Sequence, residues 1–109
     1  MKLTNVEIIS DVAYLYSTWC GVLSVEEGSV KTFNGETNYG VFCSNNDKTL
    51  LCHIEPEKVY NAMVWLPERN DQKAIDILVQ YYEKEINKLK EKIELKQIKI
   101  EILRKGVQK

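Results

Sequence analysis

The sequence has few of the features that mark a secreted, membrane-bound or disulfide-stabilised protein. Its three cysteines, Cys20, Cys43 and Cys52, are an odd number without a CxxC pair, so we interpret them as small buried side chains. No apolar run reaches the roughly 18 residues that a membrane helix needs, and the start MKLTNVEIISD lacks the pattern of a signal peptide. These absences predict a cytoplasmic protein that makes no contact with a membrane.

Sequence motifs of catalysis and of phosphate binding are missing as well. The five glycines are scattered and form neither GxGxxG nor GxxxxGK(S/T). The one histidine, His53, directly follows Cys52 in an apparent strand, where neighbouring side chains point to opposite faces and do not form a nucleophile–base pair. The cysteines also lack the paired spacing of zinc sites. We therefore predict no catalytic residue, no metal and no cofactor, and a protein that is not an enzyme.

The residues that are present have the composition of one folded domain, 1–109. Hydrophobic residues make up 44% and charged residues 28% of the chain, and its net charge is −1, as in ordinary globular proteins. Residues 1–66 carry four lysines against eight acidic residues, whereas residues 67–109 carry eleven basic against eight acidic residues. Because acidic residues are interspersed in the basic half, this half indicates a solvated face, and a nucleic acid polymer is not an expected partner.

The first half of the chain predicts a small antiparallel sheet over residues 1–54. Stretches of β-branched and aromatic residues indicate six strands, at 3–10, 12–18, 20–25, 29–33, 38–43 and 48–54. The strands are separated by clusters of turn residues, among them Glu26-Glu27-Gly28, Asn34-Gly35 and Asn45-Asn46-Asp47. Short connections of this kind join antiparallel neighbours.

A short helix is predicted next, over 56–66. Pro56 suits the first helical position, where its missing N–H has no intrahelical partner to lose. Apolar residues then recur at helical spacing until Pro67: Val59, Met63 and Leu66.

A long helix is predicted over 71–105, capped by Asn70 or Asp71 and ending at Gly106. The predicted fold class is therefore α+β, with a small N-terminal antiparallel sheet, a short helix and a long C-terminal helix that self-associates.

The long helix carries an apolar heptad pattern, which we call the heptad seam. Its a positions are Val79, Ile86, Ile93 and Ile100, and its d positions are Ile75, Tyr82, Leu89, Lys96 and Leu103. β-branched residues at a facing mostly apolar residues at d are typical of a coiled coil. At about 1.5 Å per residue the helix is roughly 50 Å long, more than a small sheet covers, so we predict self-association through residues 75–103. Packing of this seam on the chain's own sheet is the alternative.

Charges beside the seam favour an antiparallel pair. In a parallel pair Lys99 faces Arg104 of the other copy, which is repulsive; in an antiparallel pair Glu85 faces Lys99 and Glu83 faces Arg104, which is attractive. A second apolar set on the other side of the helix indicates either an interface beyond the dimer or contact with the chain's own sheet: Leu95, Ile98 and Ile102.

The two arginines are candidate anion-binding residues, because a planar guanidinium grips phosphate in a bidentate way and stacks on a base. Arg69 precedes the long helix, whose N-terminus favours an anion. Arg104 lies at the far end, and antiparallel pairing would bring it beside Glu83 and close to Tyr81 and Tyr82 of the other copy. A surface ion pair with Tyr82 in the seam is the alternative interpretation.

The segments Phe33-Asn34-Gly35 to Asn38-Tyr39-Gly40 and Ala62-Met63-Val64-Trp65-Leu66, with the order of the predicted elements, resemble the phage Thoeris anti-defence family of nucleotide sponges. Those proteins sequester cyclic ADP-ribose-type immune signals without cleaving them, and some members also bind cyclic oligonucleotides at a separate site. The resemblance implies a β-sheet with two C-terminal helices, dimers that can assemble into hexamers, pockets built from two protomers, and action in the cytoplasm of a host bacterial cell. The candidate ligand-binding residues are then Trp65, Arg69, Tyr81, Tyr82 and Arg104.

Two functions from different classes follow. In the first, the chain binds and sequesters a cyclic nucleotide immune signal at protomer boundaries, where Arg69 and Arg104 hold phosphates and Tyr81 or Tyr82 stacks the base. In the second, the chain is a protein-binding inhibitor or adaptor that acts through its long coiled-coil helix.

Overall fold

The structure, a computed structural model, describes residues 6–19, 21–33, 35 and 38–106 and has an α+β fold. Five strands precede one long helix, with these bounds: β1 (Val6–Ser17), β2 (Ser24–Phe33), β3 (Tyr39–Ser44), β4 (Thr49–His53), β5 (Met63–Leu66) and α1 (Asp71–Lys105). The predicted fold class, an N-terminal antiparallel sheet followed by a long C-terminal helix, is confirmed.

The strands form one antiparallel sheet in the order β4-β3-β2-β1-β5. Strands β1 to β4 follow one another as a meander, and β5 returns to the opposite edge, where Met63 pairs with Ser17. The sheet is curled, and its two edge strands are linked where Nε1 of Trp65 donates a hydrogen bond to the backbone oxygen of His53 at 2.7 Å. One face of the sheet is therefore enclosed by the curl.

Four of the predicted strands merge into two. The strands predicted at 3–10 and 12–18 are one strand, β1, with register shifts on either side of Ser10. The strands predicted at 20–25 and 29–33 are likewise one strand, β2. Residues 3–5 and Cys20 lie outside the described residues.

Gly28 explains why Glu26-Glu27-Gly28 is not a turn. This glycine lies in the middle of the sheet and pairs with Ala13 on one side and Ser44 on the other. A Cβ atom at this position would overlap the backbone oxygen of Cys43, so glycine is needed for close approach of two strands rather than for a turn.

Strands β3 and β4 agree with the predicted 38–43 and 48–54 to within one residue at each end. They are joined at the predicted turn, where Asp47 has a φ of +63° and the backbone N of Ser44 donates to the oxygen of Lys48 at 2.8 Å. Asn34 lies outside the described residues, so the predicted Asn34-Gly35 hairpin turn stays a prediction, and Gly35 has a φ of +73°.

The short helix predicted over 56–66 is wrong. Residues Met63–Leu66 form strand β5, and the preceding chain turns through Glu57, Asn61 and Ala62, which all have positive φ and cannot continue a right-handed helix. All four residues of β5 are buried, because the strand contributes side chains to both faces of the sheet. A short strand that is buried on both faces lacks the alternation of apolar and polar residues that marks a half-buried strand. The spacing of its apolar residues therefore matched a helix as well.

Hydrophobic clusters lie on both faces of the sheet. The cluster on the enclosed face contains Ala13, Leu15, Val30, Phe42, Cys52, Met63 and Trp65. The cluster on the other face joins the sheet to the start of α1 and contains Tyr16, Val64, Leu66, Ala74 and Leu78.

The chain divides into two units, Met1–Leu78 and Val79–Lys109. The first holds the sheet and the first turns of α1, and the second holds the rest of the helix. The predicted helix bounds, 71–105, are confirmed, and Gly106 follows with a φ of +71°. The expectation of one domain over 1–109 stays a prediction.

Candidate interaction surface on the long helix

The start of α1 is held to the sheet by hydrogen bonds. Asn70 is the N-cap, since its Oδ1 accepts from the backbone N of Lys73 at 3.1 Å. The hydroxyl of Tyr16, on β1, donates to Oδ1 of Asp71 at 2.7 Å and accepts from the backbone N of Asn70 at 3.1 Å. The tyrosine hydroxyl therefore satisfies one of the free N–H groups of the helix start and orients the first acidic side chain.

Arg69 is bound to the same carboxylate. Its Nε donates to Oδ1 of Asp71 at 3.3 Å. The hydrogen bonds from Tyr16 and Arg69 lower the pKa of Asp71, and the bond to Asp71 raises the pKa of Arg69. Burial, followed by the bond to Asp71, raises the pKa of Tyr16. Because the guanidinium already has an anionic partner, Asp71 competes with any phosphate for Arg69.

The second unit presents the heptad seam on the surface of a regular helix. Within Val79–Lys109 its apolar members are between 39% and 77% exposed: Val79, Tyr82, Ile86, Leu89, Ile93, Ile100 and Leu103. Single exposed apolar residues are normal on protein surfaces, whereas a continuous line of them marks an interaction site.

The second apolar set is exposed to a similar extent. Its members are between 52% and 61% exposed: Leu95, Ile98 and Ile102. Both apolar lines of the helix are therefore exposed in the single chain.

Tyr81 and Tyr82 lie together, whereas Arg104 lies elsewhere on the helix. The two tyrosine rings pack edge to face, with centroids 5.2 Å apart and an interplanar angle of 73°. Arg104 follows Tyr82 by 22 residues, which at about 1.5 Å per residue is roughly 33 Å along the axis. One chain does not bring these side chains together, so a site that contains both requires a second copy.

Trp65 belongs to the core. It is 2% exposed, and its Nε1 is bound to the backbone of His53. It belongs to the buried cluster on the enclosed face, so we do not include Trp65 in a proposed ligand site.

Cys52 is a packing residue rather than a nucleophile. Burial, followed by the neighbouring Cys43 thiol, raises the pKa of Cys52 to about 11, so the thiolate is scarce at neutral pH. The adjacent His53 accepts a hydrogen bond at Nδ1 from the backbone N of Glu55, at 3.0 Å. Cys43 is half-buried, and Cys20 lies outside the described residues.

Two further findings concern the described ranges only. Within them, no three histidine, cysteine or acidic side chains are grouped so as to hold a metal ion. No helix in this part of the chain combines the length and the apolar character that a membrane span requires.

Comparisons of the chain with protein-family models, with curated proteins and with solved structures give no match. Sequence patterns located the seam and the helix ends but missed the bond from Tyr16 to Asp71, whose partners are 55 residues apart. The local signal for it is slight: an aromatic hydroxyl in a strand and a carboxylate at a helix start.

Proposed function

We propose that this protein is a non-enzymatic binding protein that acts through helix pairing. In this proposal α1 associates with α1 of a second copy along the heptad seam, and the paired chains serve as an adaptor or inhibitor of another protein. The observation that supports the proposal is the line of exposed apolar side chains within Val79–Lys109.

Burial of this line supplies enough free energy for association. Fully burying an exposed Val, Leu or Ile side chain contributes about 1.5–3 kcal/mol, and the half-buried side chains of the seam gain roughly half of that each. Bringing two chains together costs about 4–15 kcal/mol. Each copy contributes several such side chains, so a surplus remains. Lys96 interrupts the d positions, and its long stem can pack on the seam while its ammonium group reaches water.

The charges along the helix favour the antiparallel arrangement. Glu85 of one copy faces Lys99 of the other in one antiparallel register, and Glu83 faces Arg104 in the register that is shifted by one heptad. Each exposed pair contributes only tenths of a kcal/mol, but these pairs decide between two arrangements that bury similar apolar surface.

We predict that Ile93→Asp dissociates the pair. Ile93 lies near the middle of the seam, where burying a carboxylate without a partner costs several kcal/mol of association free energy. The matched control is Asn87→Asp, which introduces the same residue at an exposed position outside the seam. Analytical ultracentrifugation at micromolar concentration should give a monomer mass for Ile93→Asp and the wild-type mass for the control. A wild-type protein that is already monomeric, or an Ile93→Asp variant of unchanged mass, contradicts the proposal.

Nucleotide binding is the second candidate function, and it depends on the same pairing. It is favoured by Tyr82 and Arg104, which are both exposed and would meet only across an antiparallel pair. The ligand would be a cyclic nucleotide signal of the cyclic ADP-ribose type, held without cleavage in the cytoplasm of a host bacterial cell. A dimer suffices for such a site, and the second apolar line would allow a hexamer.

A further inference from the structure

A cavity opens at the rim of the enclosed face of the sheet, in the unit Met1–Leu78. It has a volume of about 190 Å³. Leu15 and Leu50 form its apolar part, and Trp19, which is 52% exposed, lies at its border. Such a cavity accepts a small ring or short aliphatic chain.

The carboxylate of Glu26 lines this cavity and is incompletely paired. Its Oε2 is shielded from solvent and has no hydrogen-bond partner among the described residues. Its Oε1 lies 3.6 Å from Nζ of Lys48, a mostly exposed side chain. An exposed ion pair of this kind is weak, whereas a shielded carboxylate oxygen without a donor is unfavourable. The terminal torsion of glutamate is broad, so a small rotation can present this oxygen to a donor in the cavity.

Two hydroxyl groups and the side chain of Lys48 complete the polar wall. In the register of β1 with β2, Leu15 faces Glu26 and Ser17 faces Ser24. The two serine Oγ atoms are 3.1 Å apart, and Oγ of Ser24 also donates to the backbone oxygen of Ser17. Each hydroxyl has lone pairs that can accept from a ligand.

From this geometry we propose that the cavity binds a small primary amine attached to an aromatic or aliphatic body. An ammonium group has three donors, which fit the Glu26 carboxylate and a serine hydroxyl. The face of the Trp19 indole attracts the same cation, and Leu15 and Leu50 receive the apolar body. Lys48 lines the same cavity, but its contact with Oε1 of Glu26 is long and mostly exposed, so an amine competes with it for the carboxylate. A carboxylate ligand would gain Lys48 as a partner but would meet Glu26 at close range, and we expect it to bind more weakly than the amine. This site does not involve the heptad seam, so its test is independent of helix pairing.

The experiment uses 2-phenylethylamine as the probe and the full chain labelled with ¹⁵N. Binding should shift the indole N–H resonance of Trp19 in a saturable way and leave that of buried Trp65 in place, an internal control for the fold. Glu26→Gln should weaken binding by about tenfold or more, because it removes the charge and keeps the shape. The matched control is Glu27→Gln, because Glu27 is exposed and its carboxylate contacts the Tyr14 hydroxyl rather than the cavity. The affinity of this variant for the amine should be within about twofold of the wild-type affinity.

Three outcomes would overturn the proposal. They are no saturable shift at millimolar amine, equal affinity of Glu26→Gln and wild type, and binding of 3-phenylpropionate as tight as that of the amine. If Glu26→Gln does not fold, Trp19→Ala replaces it, since Trp19 lies in a turn outside the strands. Calorimetry should then show about a tenfold loss of affinity or more, and an unchanged affinity contradicts the proposal.

Discussion

At the scale of single residues, Tyr16 joins the sheet to the helix. Its ring is fully buried in the cluster that packs under α1, and its hydroxyl contacts the first residue of the helix and the residue before it. Arg69, singled out in the sequence as an anion-binding candidate, takes part in the same group through Asp71. The structure thus gives this arginine a local partner at the helix start.

We predict that Tyr16→Phe destabilises the fold by about 1–2 kcal/mol, because it removes the donor to Asp71 and leaves the N–H of Asn70 without its acceptor. Tyr14→Phe is the matched control, since the Tyr14 hydroxyl makes an exposed 3.4 Å contact with Glu27 and its loss should cost less than about 0.5 kcal/mol. Urea unfolding at neutral pH measures both, and equal effects of the two variants would contradict the prediction.

The pH dependence of this effect has a definite sign. The pKa of Asp71 is lowered in the folded state, so its contribution is present above the ordinary aspartate pKa and is lost as pH falls through the folded value. The hydrogen bond from Tyr16 is the larger cause of that shift, ahead of Arg69. The difference between wild type and Tyr16→Phe should therefore stay constant from neutral pH to the ordinary aspartate pKa and shrink as pH falls below it. A difference that persists after Asp71 is protonated would exclude the charged acceptor as its source.

At the scale of elements, local signals located the ends of α1 and tertiary packing determined β5. Asn70 caps the start of the helix with its side chain, and Gly106 ends the helix in a left-handed conformation. Both signals lie within one turn of the helix end that they determine, so the bounds 71–105 could be predicted from sequence. Strand β5 is determined by its pairing with β1 and by its burial on both faces of the sheet. Neither can be read from a short stretch of sequence around residues 63–66. Gly28 shows the same limit, because the strand it approaches lies far along the chain.

The direction of helix pairing is tested by Lys99→Glu, whose effect has opposite signs in the two arrangements. In an antiparallel pair the introduced carboxylate faces Glu85, so we predict association about two- to fivefold weaker at low salt. In a parallel pair the same carboxylate would face Arg104 and strengthen association. Sedimentation equilibrium measures the dissociation constant, and tighter association of Lys99→Glu would exclude the antiparallel pair. Lys84→Glu, an exposed change of the same charge outside the a, d, e and g positions, is the control.

At the scale of the whole molecule, the sequence predicts the elements better than the sites. The α+β class and the heptad seam follow from periodicity, which is local. The cavity beside Trp19 required the pairing of β1 with β2 and the approach of Lys48, and neither is visible as a motif. The candidate ligand residues show the same division: strand pairing buries Trp65, whereas Arg104 would need another chain in order to meet Tyr82.

The shared nucleotide site is tested by complementation between copies. Tyr82→Ala and Arg104→Ala should each weaken binding of a cyclic ADP-ribose isomer about tenfold or more, since stacking and a charged phosphate contact each contribute about 1–3 kcal/mol. After subunit exchange in an equal mixture, a mixed pair has one site with both defects and one with neither, so up to about a quarter of the sites should recover. Calorimetry of the mixture measures that fraction. Exchange without recovery contradicts a site built from both copies.

If copies pair as proposed, the exposed seam also ties the abundance of the protein to its own concentration. A helical segment whose apolar side chains face water opens locally at a small free energy, and proteases cleave such openings. Pairing suppresses the opening by mass action. Under the proposed pairing, dilute copies would be degraded while concentrated copies persist, so expression would have to pass a threshold before the protein accumulates.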